Sequence, residues 1–232
     1  MIKVDNISFS YQIGKGSSEQ EIPVLNNNSF VVHEGEMVSI VGRSGSGKST
    51  LLSLLAGFIH ASEGSILYGN KDVTQLSEKE WAAFRLDHIG FVFQNFQLIT
   101  SATVFENIEM PLILKGVKKK ERKEKVDALL TEVGLENHRN HYPNELSGGQ
   151  QQRVGIARAI ITNPRFVLAD EPTGSLDTAT EREVLALLKK LNKERNMTFL
   201  MITHDEEVAM IADRTLVLED GELITGGNRH AI

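Results

Sequence analysis

The opening of the chain alternates between apolar and polar residues. Ile2 and Val4, then Ile7, Phe9 and Tyr11, are separated by polar residues, a spacing that predicts a strand. A polar loop is expected at 14–20, then strand material at 23–25 and 29–33, closed by a turn at Glu34-Gly35. These segments read as a small antiparallel sheet. Residues 36–41 are apolar enough for a short buried strand, and 51–56 open a helix. Residues 64–69 form another strand between two glycines. The apolar run at 88–94 predicts a buried strand that ends at Gln94.

The pattern then changes period. Over 95–162 helical spacing dominates, with Val104, Ile108 and Leu112 on one face and Pro111 as an expected kink. Residues 118–133 place Val126, Leu129, Leu130 and Val133 together; the charges before them, of mixed sign, read as a solvated helix face rather than a lipid or nucleic-acid patch. Strands return at 165–171 and 198–204. Between them a helix carries Val184, Leu185, Leu187, Leu188 and Leu191, and a hairpin through Asp220-Gly221 closes the chain. Strands alternating with helices predict an α/β fold: a parallel sheet with helices on both faces. The expected division is 1–38 as a mainly antiparallel β subdomain, 39–94 and 163–232 as the core, and 95–162 as an inserted α-helical subdomain.

Composition narrows the function. The 232 residues suit one large domain, and a net charge of −6 argues against nucleic acid as a partner. There is no cysteine, which removes disulfides, thiolate catalysis and Cys-based zinc sites. No apolar run approaches the about 20 residues of a membrane span. Residues 1–6 carry no apolar signal segment, so a cytoplasmic location is expected, with any membrane link made through a partner.

The candidate chemistry starts at Gly42-Arg43-Ser44-Gly45-Ser46-Gly47-Lys48-Ser49-Thr50, which fits the phosphate-binding pattern G-x-x-x-x-G-K-[ST] between an expected strand and an expected helix. Glycines let successive backbone N–H groups curl around an anion, and the helix adds its positive end. Lys48 is placed to reach the outer phosphates and the Ser49 hydroxyl to ligate Mg²⁺. Three further strands end at polar residues, Gln94, Asp170-Glu171 and His204, and ligands of parallel sheets sit at such ends. Asp170 is expected to hold Mg²⁺, directly or through water. Glu171 is free to polarise the attacking water. Gln94 offers an amide oxygen to the metal or to that water, and His204 an imidazole to a γ-phosphate oxygen. A second helix-start anion site is expected at Ser147-Gly148-Gly149-Gln150, before a helix carrying Val154, Ile156, Ala157 and Ile160.

The phosphate-loop residues, Gln94, Leu146-Ser147-Gly148-Gly149-Gln150, the strand ending at Asp170-Glu171, Ser175-Leu176-Asp177 and His204 together resemble the full motif set of ABC-type ATPases, in family order. The resemblance spans essentially the whole chain. It implies a P-loop NTPase (RecA-like) core, ATP and Mg²⁺ as cofactors, and a head-to-tail dimer with a second ATP-binding subunit, identical or different. ATP on one phosphate loop would be covered by Ser147, Gly148, Gly149 and Gln150 of the other subunit. Tyr11 would stack on adenine, and Asp177 would lie at the dimer seam. Asp170-Glu171-Pro172-Thr173-Gly174 and Ile89-Gly90-Phe91-Val92-Phe93-Gln94 resemble the macrolide-exporter and lipoprotein-release branch. Trp81-Ala82-Ala83-Phe84-Arg85 and Tyr142-Pro143-Asn144-Glu145 are similar to Ytr-type subunits of Gram-positive bacteria. That branch implies separate membrane permease subunits, contacting about 95–112 from the inner face of the membrane. A regulatory module that moves a membrane partner without transport is the competing expectation.

Overall fold

The computed structural model describes residues 1–14 and 20–224. In chain order its elements are β1 (Ile2–Ile13), β2 (Gln20–Val32), β3 (Met37–Val41), α1 (Lys48–Leu55), β4 (Glu63–Tyr68), β5 (Lys71–Asp72), α2 (Glu78–His88) and β6 (Ile89–Val92). These are followed by α3 (Val104–Leu114), α4 (Lys119–Glu132), α5 (Gly148–Ile160), β7 (Phe166–Asp170), α6 (Thr178–Arg195), β8 (Thr198–Thr203), α7 (Glu206–Met210), β9 (Arg214–Glu219) and β10 (Glu222–Ile224). Short 3-10 turns at Glu136–His138 and Pro143–Glu145 lead into α5.

Two sheets share the strands. A four-stranded antiparallel sheet has the order β2-β1-β4-β5, and a six-stranded sheet the order β10-β9-β3-β8-β7-β6. In the second, β9, β3, β8, β7 and β6 pair in parallel and only β10 pairs antiparallel. β4 and β5 therefore extend the antiparallel sheet, which is not confined to the first 38 residues.

The parallel strands are apolar on both faces because both faces are covered. Met37, Val167, Ala169, Phe199 and Met201 point into one core with α3 to α6. Val38, Ile40, Leu168, Leu200 and Ile202 point into the other, with α1, α2 and the antiparallel sheet. The sequence periods map onto these two layers directly.

Several boundaries differ from the sequence reading. Residues 23–25 and 29–33 belong to one strand, β2, which is bulged at Asn27 (φ 48). The bulge resets the phase, so Leu25 and then Asn28, Phe30 and Val32 face inward. Pro23 is tolerated because β2 lies at a sheet edge. A matching shift at Asn6 (φ 51), whose N–H donates to Ser29 Oγ at 2.8 Å, explains the break between Val4 and Ile7 in β1. Residues 15–19 of the expected loop lie outside the described residues. β6 stops at Val92 and His88 is the last residue of α2, so the expected strand at 88–94 is shorter at both ends, and Gln94 lies past the strand. Pro111 sits inside α3, which continues to Leu114.

Candidate active site

The phosphate loop joins the end of β3 to the start of α1. Gly47 is the residue before α1, with φ of 101, and no side chain caps the helix. A Cβ there would also sit 2.9 Å from Leu25 Cδ2, so β2 braces the loop from below. The first-turn N–H groups of α1 are left for an anion, with no acidic residue in that turn to compete. Lys48 is buried, and its Nζ donates to Gly42 O at 2.7 Å and Arg43 O at 2.9 Å. The cation is thus held over the mouth of its own loop. With Val24, Glu171 and His204, residues Ser44, Gly45, Gly47, Lys48, Ser49 and Thr50 line an open cavity of about 530 Å³.

Asp170 ends β7, and Glu171 follows it in the left-handed region, at φ of 43. The Glu171 N–H continues the ladder by donating to Ile202 O at 2.9 Å. The turn swings the Glu171 carboxylate toward the residue after β8: its Oε1 lies 2.8 Å from His204 Nδ1. The carboxylate can only accept, so Nδ1 donates and His204 Nε2 is left facing outward. Burial pushes the Asp170 carboxyl above its ordinary range, the charge of Glu171 adds to this, and Lys48 opposes it. Gln94 comes to the same place from the segment after β6. Gly174 packs between them: a Cβ there would lie 3.0 Å from Gln94 Nε2 and 3.1 Å from Glu171 Oε2. Ser175 Oγ donates to Gln94 O at 3.3 Å.

Ser147 is exposed and caps α5, accepting from Gln150 N, while Gln150 Oε1 accepts from Ser147 N at 2.9 Å. None of 147–150 lines the cavity around Lys48. The two candidate anion sites of one chain, at the starts of α1 and α5, therefore do not share this cavity. Asp177 caps α6, accepting from Ala179 N, Thr180 N and Thr180 Oγ1, which holds its carboxyl below the usual range. Tyr11 sits on β1, 44% exposed, with its ring edge-on to Phe9 at 4.8 Å. It too is outside the cavity lining.

Three residues of the site's framework carry no motif signal of their own. Gln152 is fully buried in α5, and its Nε2 donates to Pro172 O at 2.5 Å, next to Glu171. Arg158, in the same helix, donates to Phe96 O and Gln97 O just after Gln94. Asn107 is fully buried and holds the intervening loop, its Oδ1 accepting from Ile99 N and its Nδ2 donating to the carbonyls of Ile99, Ala102 and Thr103. Gln152 and Arg158 could have been suspected as polar residues on the helix carrying Val154, Ile156 and Ile160. Their partners lie 20 and about 60 residues away, beyond the reach of any local pattern.

With this geometry in hand, comparison with known proteins is specific. The family model described as ABC transporter matches residues 25–174. The ABC transporter ATP-binding protein YtrE of Bacillus subtilis is 60% identical over 226 residues, covering 97% of this chain and 98% of that protein. A macrolide export ATP-binding/permease protein, MacB of Rhodospirillum rubrum, is 46% identical over 215 residues, which are 93% of this chain but 33% of that longer protein. Among solved structures, a dimeric post-hydrolysis state of the ATP-binding cassette MJ0796 bound to ADP and Pi superposes with a TM-score of 0.89 at 41% identity, covering 100% of both chains; a protein of that name comes from Methanocaldococcus jannaschii. The chain belongs to the ABC transporter family, and it is an ATPase subunit of the kind found in that family's export-type systems.

Proposed function

We propose that ATP joins two such subunits head to tail, that hydrolysis releases them, and that this cycle moves separate membrane subunits. The carrying observation is the separation of the two anion-binding helix starts. Lys48 lines the cavity and Ser147 does not, so a nucleotide on one chain's loop is finished by residues 147–150 of another. Likeness to a dimeric cassette supports this pairing. The partner is a second copy or a related chain.

Position and family likeness together support the role of each residue. The N–H groups of 42–50 and Lys48 hold the phosphates, exchanging the carbonyls of Gly42 and Arg43 for phosphate oxygens. Ser49, Asp170 and Gln94 would hold Mg²⁺. The donor set fits a hard cation: all offer oxygen, and the Asp170 carboxyl, disfavoured as an anion by burial and by Glu171, gains from a positive neighbour. Bound with nucleotide, the ion would neutralise charge on the phosphates. Glu171 Oε2 accepts a proton from the attacking water while Oε1 stays on His204, whose Nε2 faces the γ-phosphate. Tyr11 stacks on the adenine, and Asp177 meets its counterpart across the seam.

We assign 95–162 as the lobe that swings with α5, and about 95–112 as the permease contact. Ile99 there is 40% exposed. No helix among the described residues is long and apolar enough to cross a membrane. The subunit would then work from the inner face of the cell membrane, held by its permease. The test is specific ATPase activity against protein concentration. The account predicts activity per subunit that rises with concentration toward a plateau. Activity per subunit that stays constant down to nanomolar dilution would overturn it.

A further inference from the structure

Gln150 holds more than the cap of α5. Its Oε1 accepts from the Ser147 backbone N–H at 2.9 Å, which fixes the direction of the amide. The other end, Nε2, then faces His138 Nε2 at 3.1 Å. Amide nitrogen donates only, so His138 Nε2 must accept and its proton must sit on Nδ1. That Nδ1 is buried and has no partner among the described residues. Leaving a buried donor unmatched is unfavourable. The imidazole keeps its acceptor on Gln150 at that cost.

The backbone that carries the ring is tied down on both sides. His138 closes the 3-10 turn Glu136–His138, with its N–H on Leu135 O at 2.9 Å and its carbonyl accepting from His141 N at 3.0 Å. Leu135 is in turn tied to α4 through Leu130 O at 2.8 Å. The chain of contacts therefore runs from α4 through His138 to the Gln150 amide and on to Ser147. Ser147 Oγ already accepts from Gln150 N, so its hydroxyl proton is free to point outward.

We propose that His138 is a positioning residue for ATP-driven closure. By accepting from Gln150 it locks the amide that orients the Ser147 cap, and so presets the surface that grips the partner's nucleotide. The inference rests on the reading that residues 147–150 close on a second subunit. Without the acceptor, the amide must be ordered at the moment of closure, which weakens association. It should leave nucleotide binding to the separate subunit untouched, because His138 does not line the Lys48 cavity.

The test uses the hydrolysis-blocked variant Glu171→Gln and measures its ATP-dependent dimerisation by sedimentation, with and without His138→Phe. Phenylalanine keeps an aromatic ring, offers no acceptor and removes the unmatched Nδ1–H. Expected are dimerisation about fivefold weaker per site, from the loss of one hydrogen bond, unchanged ATP affinity of the monomer, and a melting temperature that does not fall. His138→Gln, whose side-chain oxygen can accept from Gln150, should recover most of the loss. Equal dimerisation with histidine and phenylalanine would overturn the proposal, as would a loss that tracks a lowered melting temperature and is not recovered by glutamine. If Glu171→Gln itself fails to dimerise, the head-to-tail reading fails instead.

Discussion

Arg158 donates from Nη1 to the carbonyl of Gln97 at 2.7 Å, across 61 residues of sequence. Its other nitrogen, Nη2, takes the carbonyl of Phe96 at 3.0 Å. Phe96 and Gln97 are consecutive left-handed residues, with φ of 56 and 45, a conformation that non-glycine residues adopt at a cost. The guanidinium makes no ion pair among the described residues and is partly desolvated, which lowers its pKa. A half-buried cation that, among the described residues, donates only to carbonyls holds the turn after Gln94 against its own strain. With Gln152 on Pro172 and Gln150 on His138, it makes α5 the element that registers where Gln94, Glu171 and Ser147 stand.

Arg158→Lys keeps the charge but not the planar fork that reaches two carbonyls. The turn should loosen, with a stability loss of about 1–3 kcal/mol. The specific prediction is a fall in kcat larger than any rise in KM for ATP, since Gln94 is misplaced while the phosphate loop is intact. A variant whose kcat stays at the parent value would show that the Arg158 contact only stabilises.

Gly174→Ala brings a methyl group to 3.0 Å from Gln94 Nε2 and 3.1 Å from Glu171 Oε2. Both side chains must shift by a few tenths of an ångström or more. Turnover should fall about 10–100-fold, as expected when reacting groups are displaced, with ATP affinity nearly unchanged. Steady-state kinetics beside a nucleotide titration separates the two. Full activity would mean that Gln94 and Glu171 are not held as a pair.

Lys48→Ala removes the one cation lining the cavity among the described residues. ATP affinity should drop by about two orders of magnitude or more, consistent with the loss of a charge-assisted phosphate contact. The unliganded fold should change little, because Lys48 only bridges carbonyls of its own loop. Fluorescence titration with a labelled nucleotide checks this, and unchanged affinity would contradict the phosphate-loop assignment.

Acid should unfold the protein through its capping carboxylates. Glu80 and Glu106 are held below their ordinary range by hydrogen bonds from the cap residues Ser77 and Thr103, and Asp177, itself a cap, by those from Thr180 and Ala179. At Glu36 burial pushes upward but is outweighed by hydrogen bonds from Arg214 and the His33 N–H. A depressed folded pKa gives stability that is present above the unfolded value and lost as pH falls through the folded one. Asp170, raised, acts in the opposite sense. Urea midpoints should hold from pH 7 to about 5 and fall below about 4. A midpoint that already falls between pH 7 and 6 would assign the loss to histidines.

Much of this was written in the sequence. The alternation of β1, the buried runs of β3, β7 and β8 and the phosphate loop are local patterns, and local geometry follows from them. α2 was not legible: only Trp81 and Phe84 of it are buried, too narrow a stripe to show as helical spacing. Nor was the single course of β2, because the bulge at Asn27 breaks its period. Gln94 was singled out as the end of a strand, but β6 stops at Val92, before it. What holds Gln94, Glu171 and Ser147 in place could not be read at all, because Arg158, Gly174 and His138 act through contacts set by tertiary packing.

The central claim is that one chain supplies half of each pocket. Sedimentation of Glu171→Gln with saturating ATP and Mg²⁺ tests it most directly. The account predicts a stable dimer retaining two ATP molecules, and monomer when nucleotide is withdrawn. A protein that binds ATP yet sediments as a monomer at every concentration would contradict it.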